Sequence, residues 1–236
     1  MDYSDDNWSD SGHHDYQFEV QNRMDLLTKR LKARFTEWII QLKLPSNADN
    51  YKVSLDKNAY FINFNYKDTL ERLYQIPLSN IWYIHNKAIN ENSTLILGHS
   101  RNPKSYPTLS QYNDEDTDVR IAEGNHILDS YFESTYKSTE RIISENIVIL
   151  DQFKNLRSIY VLGHSLSPVD LPYFKEIIKR IDTKNVQWKV SFYNKKELEH
   201  PKAVMNSLSI DPNLVEYDRI NKFDSNQLSL FPKVQI

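Results

Sequence analysis

Cysteine does not occur in the 236-residue chain. This excludes disulfides, thiolate metal sites and a cysteine nucleophile, and it fits a reducing compartment. Glycine is scarce too, at four residues, so each glycine has a local reason to be where it is. An excess of one charge sign is also missing. A formal net charge of -3 is too near neutral for a bulk electrostatic nucleic-acid binder, and there is no polybasic arm. The opening stretch MDYSDDNWSDSGHHDY is acidic and polar, which reads as neither a signal peptide nor a membrane span and points to the cytoplasm.

What the chain does contain is the material of a core. Apolar residues make up 39% and charged residues 26%, with 15 tyrosines and 10 phenylalanines, the profile of a folded protein rather than a disordered one. Apolar positions Val20, Met24, Leu27, Leu31, Phe35, Trp38 and Ile39 recur in steps of three and four, which predicts a long amphipathic docking helix from Phe18 to Leu42. The aromatic and β-branched run AYFINFNY reads as a buried strand ending near Asn65, followed by a helical DTLERLY. IWYIH (81–85), a short segment 95–98, SIYVL (158–162) and VQWKVSFY (186–193) read as further strands. Helices are expected over 117–136, 138–151 and 171–181.

Strands alternating with helices predict an α/β, Rossmann-like, mostly parallel doubly wound sheet, with a long N-terminal helix and a helical insertion. The expected organisation is a single α/β domain over 1–211, including an N-terminal helical segment 1–50 and a helical insertion 101–151, then a weakly ordered tail 212–236. In such sheets a ligand binds outside the carboxyl ends of the strands. Asn65, His85, Gly98 with His99, and Gly163 with His164 all fall at expected strand ends, so one edge of the sheet is expected to gather them.

Each candidate also has a plain structural reading. In GHSLSPVD (163–170), Ser167 suits an N-cap, Pro168 the first helical position and Asp170 the third, as in a capping box. Asn65 and Asp68 have the same spacing. Gly163 suits a left-handed turn. Ser165 lacks the final glycine of a nucleophile elbow, and the histidines show no recognised metal-ligand spacing. Trp8, Trp38, Trp82 and Trp188 read as core residues.

Three segments, FINFNYKDTLERLY (61–74), WYIHNKAINENSTLILGHS (82–100) and IYVLGHSLSPVDLPYF (159–174), together resemble the AbiH family of bacterial abortive-infection proteins, which act in phage defence. NWSDSGHHDYQFEV (7–20) is similar to an upstream family segment. Relative to the family, the chain starts after the usual first strand and its Gly-Asn-Gly-Phe-Asp loop, and His85 is followed by Asn86 where His-Gly is common. A more distant similarity reaches the sirtuin-like domains of defence NADases, which carry Asn-Tyr-Asp, His-Gly and Gly-x-Ser with a later Asp near the nucleotide. Lys67 stands where the aspartate of that scheme falls, with Asp68 beside it.

The resemblance implies a phage-defence protein that binds or cleaves a nicotinamide nucleotide, with NAD as substrate. On the sirtuin-like similarity, His85 and Asn65 are the expected catalytic residues. Tyr66, Asp68, Gly98, His99, Gly163, His164, Ser165 and Asp170 are the expected ligand-binding residues. Histidine suits a general base near neutral pH. A phage or host protein is the expected trigger. No resident cofactor, metal or membrane is implied, and nucleic acid is not an expected partner. Two other classes remain open: a non-catalytic interaction or sensor module on the same fold, and a nuclease using Asp68, Asp170 and Lys67.

Overall fold

A computed structural model describes residues 15–45 and 53–223. Trp8, His13, His14 and the end of the chain after Phe223 lie outside the described residues. The described residues fall into two compact units, one from those within 1–41 and 88–138, the other from those within 42–87 and 139–236.

The first unit is helical. The expected N-terminal helix forms as α1 (Asp15–Asp25) and α2 (Leu31–Gln41), joined by a π-helical turn over Leu26–Arg30. A π turn holds an extra residue, so apolar positions before and after it do not stay on one line. Ile39 is buried as expected, but Leu27, Leu31 and Trp38 are 51%, 57% and 54% exposed. The insertion supplies α4 (Val119–Ser134), which packs against α1. Their approach is close at Gly124, where an added Cβ would stand 2.7 Å from a ring carbon of Tyr16.

All strands among the described residues lie in the second unit, and every pairing is parallel. β1 (Phe61–Asn63) pairs with β2 (Ile81–Tyr83), Asn63 opposite Tyr83. β3 (Ser158–Val161), β4 (Gln187–Ser191) and β5 (Val215–Asp218) form a second sheet in that order. Between them run α3 (Thr69–Arg72), α5 (Thr139–Glu145), α6 (Ile147–Leu150), α7 (Leu171–Ile178) and α8 (Glu199–Ser207). The architecture is mixed α/β with short parallel sheets.

Alternation along β4 decides which face is buried. Trp188 and Val190 enter a core with Leu150, Val161, Leu166, Phe174, Ile177 and Met205. Lys189 faces the other way and lies over the rings of Tyr160 and Phe223. Ile62, Phe64 and Trp82 pack against the same core. Regular structure continues past Asp211 through β5, because Val190 and its neighbours give that segment a parallel partner.

The expected strand over 95–98 does not form. His99 instead makes an isolated parallel bridge to Tyr136, its N–H donating to the Thr135 carbonyl at 3.1 Å and its own carbonyl accepting from Lys137 N–H at 3.0 Å. Gly98 is what permits this approach: a Cβ there would sit 2.0 Å from the Thr135 oxygen.

Candidate functional site

β1 and β2 are parallel partners and end on the same side, and contacts of His85 with Asp170 and of Phe64 with His164 bring the loop after β3 to theirs. β1 hands the chain to Phe64, Asn65 and Tyr66. β2 is followed by His85, and β3 by the loop from Gly163 to Asp170. In two of these loops the backbone enters the left-handed region next to a histidine. Asn86 has φ +66°, while Gly163 and Leu166 have +62° and +52°. Asparagine is among the few residues besides glycine that tolerate this region, which explains how His85 keeps its turn without a following glycine.

The third loop is held from several sides. Gly163 N–H donates to the Ser191 hydroxyl at 2.8 Å, tying the tip of β3 to that of β4. Leu166 N–H donates to Nδ1 of His164 at 2.8 Å. His200 Nε2 lies 3.0 Å from the Ser165 carbonyl. With Leu166 only 1% exposed, its apolar side chain anchors the left-handed turn in the core.

That turn corrects the expected capping box. Helix α7 begins at Leu171, with Asp170 in the N-cap position and Pro172 inside the first turn. Ser167 to Asp170 is a turn, closed by Asp170 N–H donating to the Ser167 carbonyl at 2.9 Å. Asp170 makes no side-chain cap bond. Its two oxygens face imidazoles instead: Oδ1 is 3.6 Å from Nε2 of His85 and Oδ2 is 3.5 Å from Nε2 of His164. His85 and Asp170 are 4% and 9% exposed. A buried carboxylate needs a cation or donors close by, and imidazole supplies either according to its protonation.

Aromatic rings close the centre. Phe64 meets His164 at 4.3 Å between ring centroids, His85 at 5.5 Å and Tyr173 at 5.9 Å, and stacks on Phe174 at 6.1 Å. Tyr66 lies 6.0 Å from His85. Burial, and behind it the negative charge of Asp170, push the Tyr66 phenol up to about 12. The same two causes, with a smaller contribution from Tyr66, raise the Tyr173 phenol further.

Beside the centre runs a second polar network. Asn63 Oδ1 accepts from Asn65 N–H at 2.9 Å. Tyr83 donates to Glu71 at 2.7 Å, and Lys87 Nζ donates to both Glu71 oxygens at 2.9 and 2.8 Å. Burial alone would raise the Glu71 carboxyl, but the bonds from Lys87 and Tyr83 hold it below the usual carboxylate range. Burial and the neighbouring Glu71 raise the Tyr83 phenol.

Of the residues singled out in the sequence, the fold brings His85, His164, Asp170 and Tyr66 together. Gly163 and Ser165 flank them on one loop. Asn65 follows β1 but is exposed. Asp68 stands 3.9 Å from Arg72, one turn along. Gly98 and His99 belong to the other unit, where His99 packs edge-on to Phe132 at 5.9 Å. Phe64 and Tyr173 line the same centre but carry no chemical signature of a site in the sequence. Both are aromatic, which reads as core. The usable signal was position, since Phe64 directly follows β1 and Tyr173 is three residues beyond Asp170. Among the described residues, no group of three or more His, Cys, Asp or Glu side chains is arranged to hold a metal ion, and no helix is long and apolar enough to cross a membrane.

A family model for bacteriophage abortive infection AbiH matches residues 1–192, which includes every residue of the His85–Asp170–His164 centre. The chain belongs to the AbiH family. The three motifs read from the sequence as AbiH-like are thus the segments that deliver Phe64, His85, His164 and Asp170 to this AbiH centre. No curated protein and no solved structure matches the chain.

Proposed function

We propose that this AbiH chain acts in abortive infection against phage by binding and hydrolysing a nicotinamide nucleotide in the cytoplasm. The observation that carries the reading is the buried Asp170 carboxylate set 3.6 Å from Nε2 of His85. A carboxylate behind an imidazole fixes the ring and stabilises the imidazolium formed when the ring takes a proton. In NAD hydrolysis the bond between the ribose anomeric carbon and the nicotinamide nitrogen breaks, with nicotinamide leaving on the bonding pair. Water adds to the anomeric carbon, and its proton is released. His85 takes the proton of a ribose hydroxyl or of that water, Asn65 orients substrate or water, and the backbone from Gly163 to Ser165 lines the ribose or phosphate.

The all-parallel pairing supports a finer reading of the fold, in which the two sheets belong to one doubly wound, Rossmann-like arrangement. The burial of His85 favours a second functional reading, a nucleotide-free interaction or sensor module. Incubating the pure protein with NAD, with and without phage lysate, separates the two. Nicotinamide release that falls at least about 100-fold in His85→Ala supports hydrolysis. No release under either condition, with phage protection unchanged in His85→Ala, supports the module.

A further inference from the structure

The Leu166 amide settles a question about the neighbouring ring. A backbone N–H always donates, so Nδ1 of His164, 2.8 Å from it, carries the lone pair. In the neutral ring the proton is then on Nε2. That nitrogen faces Oδ2 of Asp170 at 3.5 Å. Oδ1 of the same carboxylate faces Nε2 of His85 at 3.6 Å. One carboxylate is thus flanked by two rings, and the tautomer of one ring is set by a main-chain turn far from the other in sequence. The phenols of Tyr66 and Tyr173 also feel the charge of the carboxylate, and both are raised, by burial first and by Asp170 second. Phe64 packs on both imidazoles and Phe174 on that of His164.

We propose that His164 is a positioning residue that acts on His85 through Asp170. The Leu166 N–H holds His164 as its Nε2–H tautomer, and that donor orients the carboxylate. The carboxylate then holds His85 as its own Nε2–H tautomer, which makes Nδ1 the proton-accepting nitrogen. Hydrogen bonds in free enzymes are commonly long and tighten with ligand, so separations of 3.5 and 3.6 Å suit a relay that closes on binding. The left-handed Leu166, at φ +52°, is the structural expense of this arrangement, since backbone strain of this kind persists where the surroundings over-determine it. The proposal rests on reading His85 as the base, but its test does not depend on turnover.

The test is two-bond 1H–15N spectroscopy of the imidazoles, at a pH where both rings are neutral, in the wild type and three variants. In the wild type, His164 is expected to show a pyridine-like Nδ1 and a pyrrole-like Nε2, and His85 to be mainly Nε2–H. His164→Asn keeps an acceptor for the Leu166 amide but has no donor long enough for Asp170, so His85 should relax to a mixture of tautomers. His164→Gln places an amide donor near the lost Nε2 and should restore the His85 pattern. Asp170→Asn should abolish the preference.

If NAD is hydrolysed, His164→Asn should lower kcat about 10- to 100-fold with little change in KM, as for loss of an outer hydrogen-bond partner. A wild-type His164 carrying its proton on Nδ1 overturns the proposal without any variant, whether or not the variants fold. So does a His85 pattern that His164→Asn and Asp170→Asn leave unchanged. Wild-type protein that releases no nicotinamide but shows the expected tautomers removes the hydrolase reading and leaves the positioning role standing.

Discussion

Asp170 and His85 come from opposite halves of the second unit's sequence, yet the carboxylate Oδ1 stands 3.6 Å from the ring Nε2, with both residues buried. A helix-start aspartate normally spends its charge on the amides of its own first turn. This one makes no such bond, because the left-handed turn at Leu166 delivers it to two imidazoles. The helix start is thereby converted into a polar centre.

The first prediction concerns Tyr66. Its phenol should titrate near 12, with burial as the larger cause and Asp170 the smaller, against about 10 in an unfolded chain. The contribution of the neutral phenol to stability is therefore complete below about pH 10 and disappears as the pH rises through the folded value. Phenolate absorbance in the wild type minus that in Tyr66→Phe gives the titration. Asp170→Asn should lower the midpoint only part of the way towards the unfolded value. A midpoint unmoved by Asp170→Asn contradicts the proximity of the two groups.

Glu71 should behave in the opposite sense with pH. The bonds from Lys87 and Tyr83 hold its carboxyl low, so they stabilise the fold above the unfolded value of about 4.3 and fail as the pH drops through the folded one. Tyr83→Phe should destabilise by about 1–2 kcal/mol at neutral pH, with a smaller difference in acid. Urea unfolding at the two pH values measures this, and an equal loss at both would count against the pairing.

Two glycines should respond to alanine for different reasons. Gly98→Ala drives a Cβ to 2.0 Å from the Thr135 carbonyl, a backbone clash expected to destabilise by about 2–3 kcal/mol. Gly163→Ala meets nothing within 4 Å but must adopt φ +62°, which costs about 1–2 kcal/mol. Thermal unfolding should rank Gly98→Ala below Gly163→Ala, and the reverse order would mean that the 98–99 bridge is not formed as described.

Asn86 offers a gain. With φ at +66°, Asn86→Gly should hold or raise stability by up to about 1 kcal/mol. Asn86→Val should lower it by about 1–2 kcal/mol, because a β-branched residue is an outlier there. Broadened His85 ring signals in Asn86→Val would show that the turn also sets the histidine. Equal stability of all three forms would argue against the left-handed turn.

Much of the local structure was legible in the residues. The β-branched and aromatic runs at 61–63, 81–83, 158–161 and 187–191 became strands, since alternation and bulk at Cβ favour extended backbone wherever a core is available. The apolar spacing of Leu171, Phe174, Ile177 and Ile178 became α7. Ser167 misled because capping preference is a local rule, and the left-handed turn before it is not written in a sequence that places leucine at 166. Leu95 to Gly98 has the composition of a strand but lacked a partner edge. Backbone pairing needs a second chain segment at the right height, and the end of α4 took that place.

Sequence by itself determined the alternation of helix and strand, the AbiH motifs and the chemical types available at the strand ends, because these depend on neighbours within a few residues. Only the tertiary structure decided that Asp170 serves His85 and His164 rather than its own helix, and that His99 belongs to a different unit. Those outcomes depend on burial and charge pairing between segments far apart in the chain, and no short-range pattern encodes such distances.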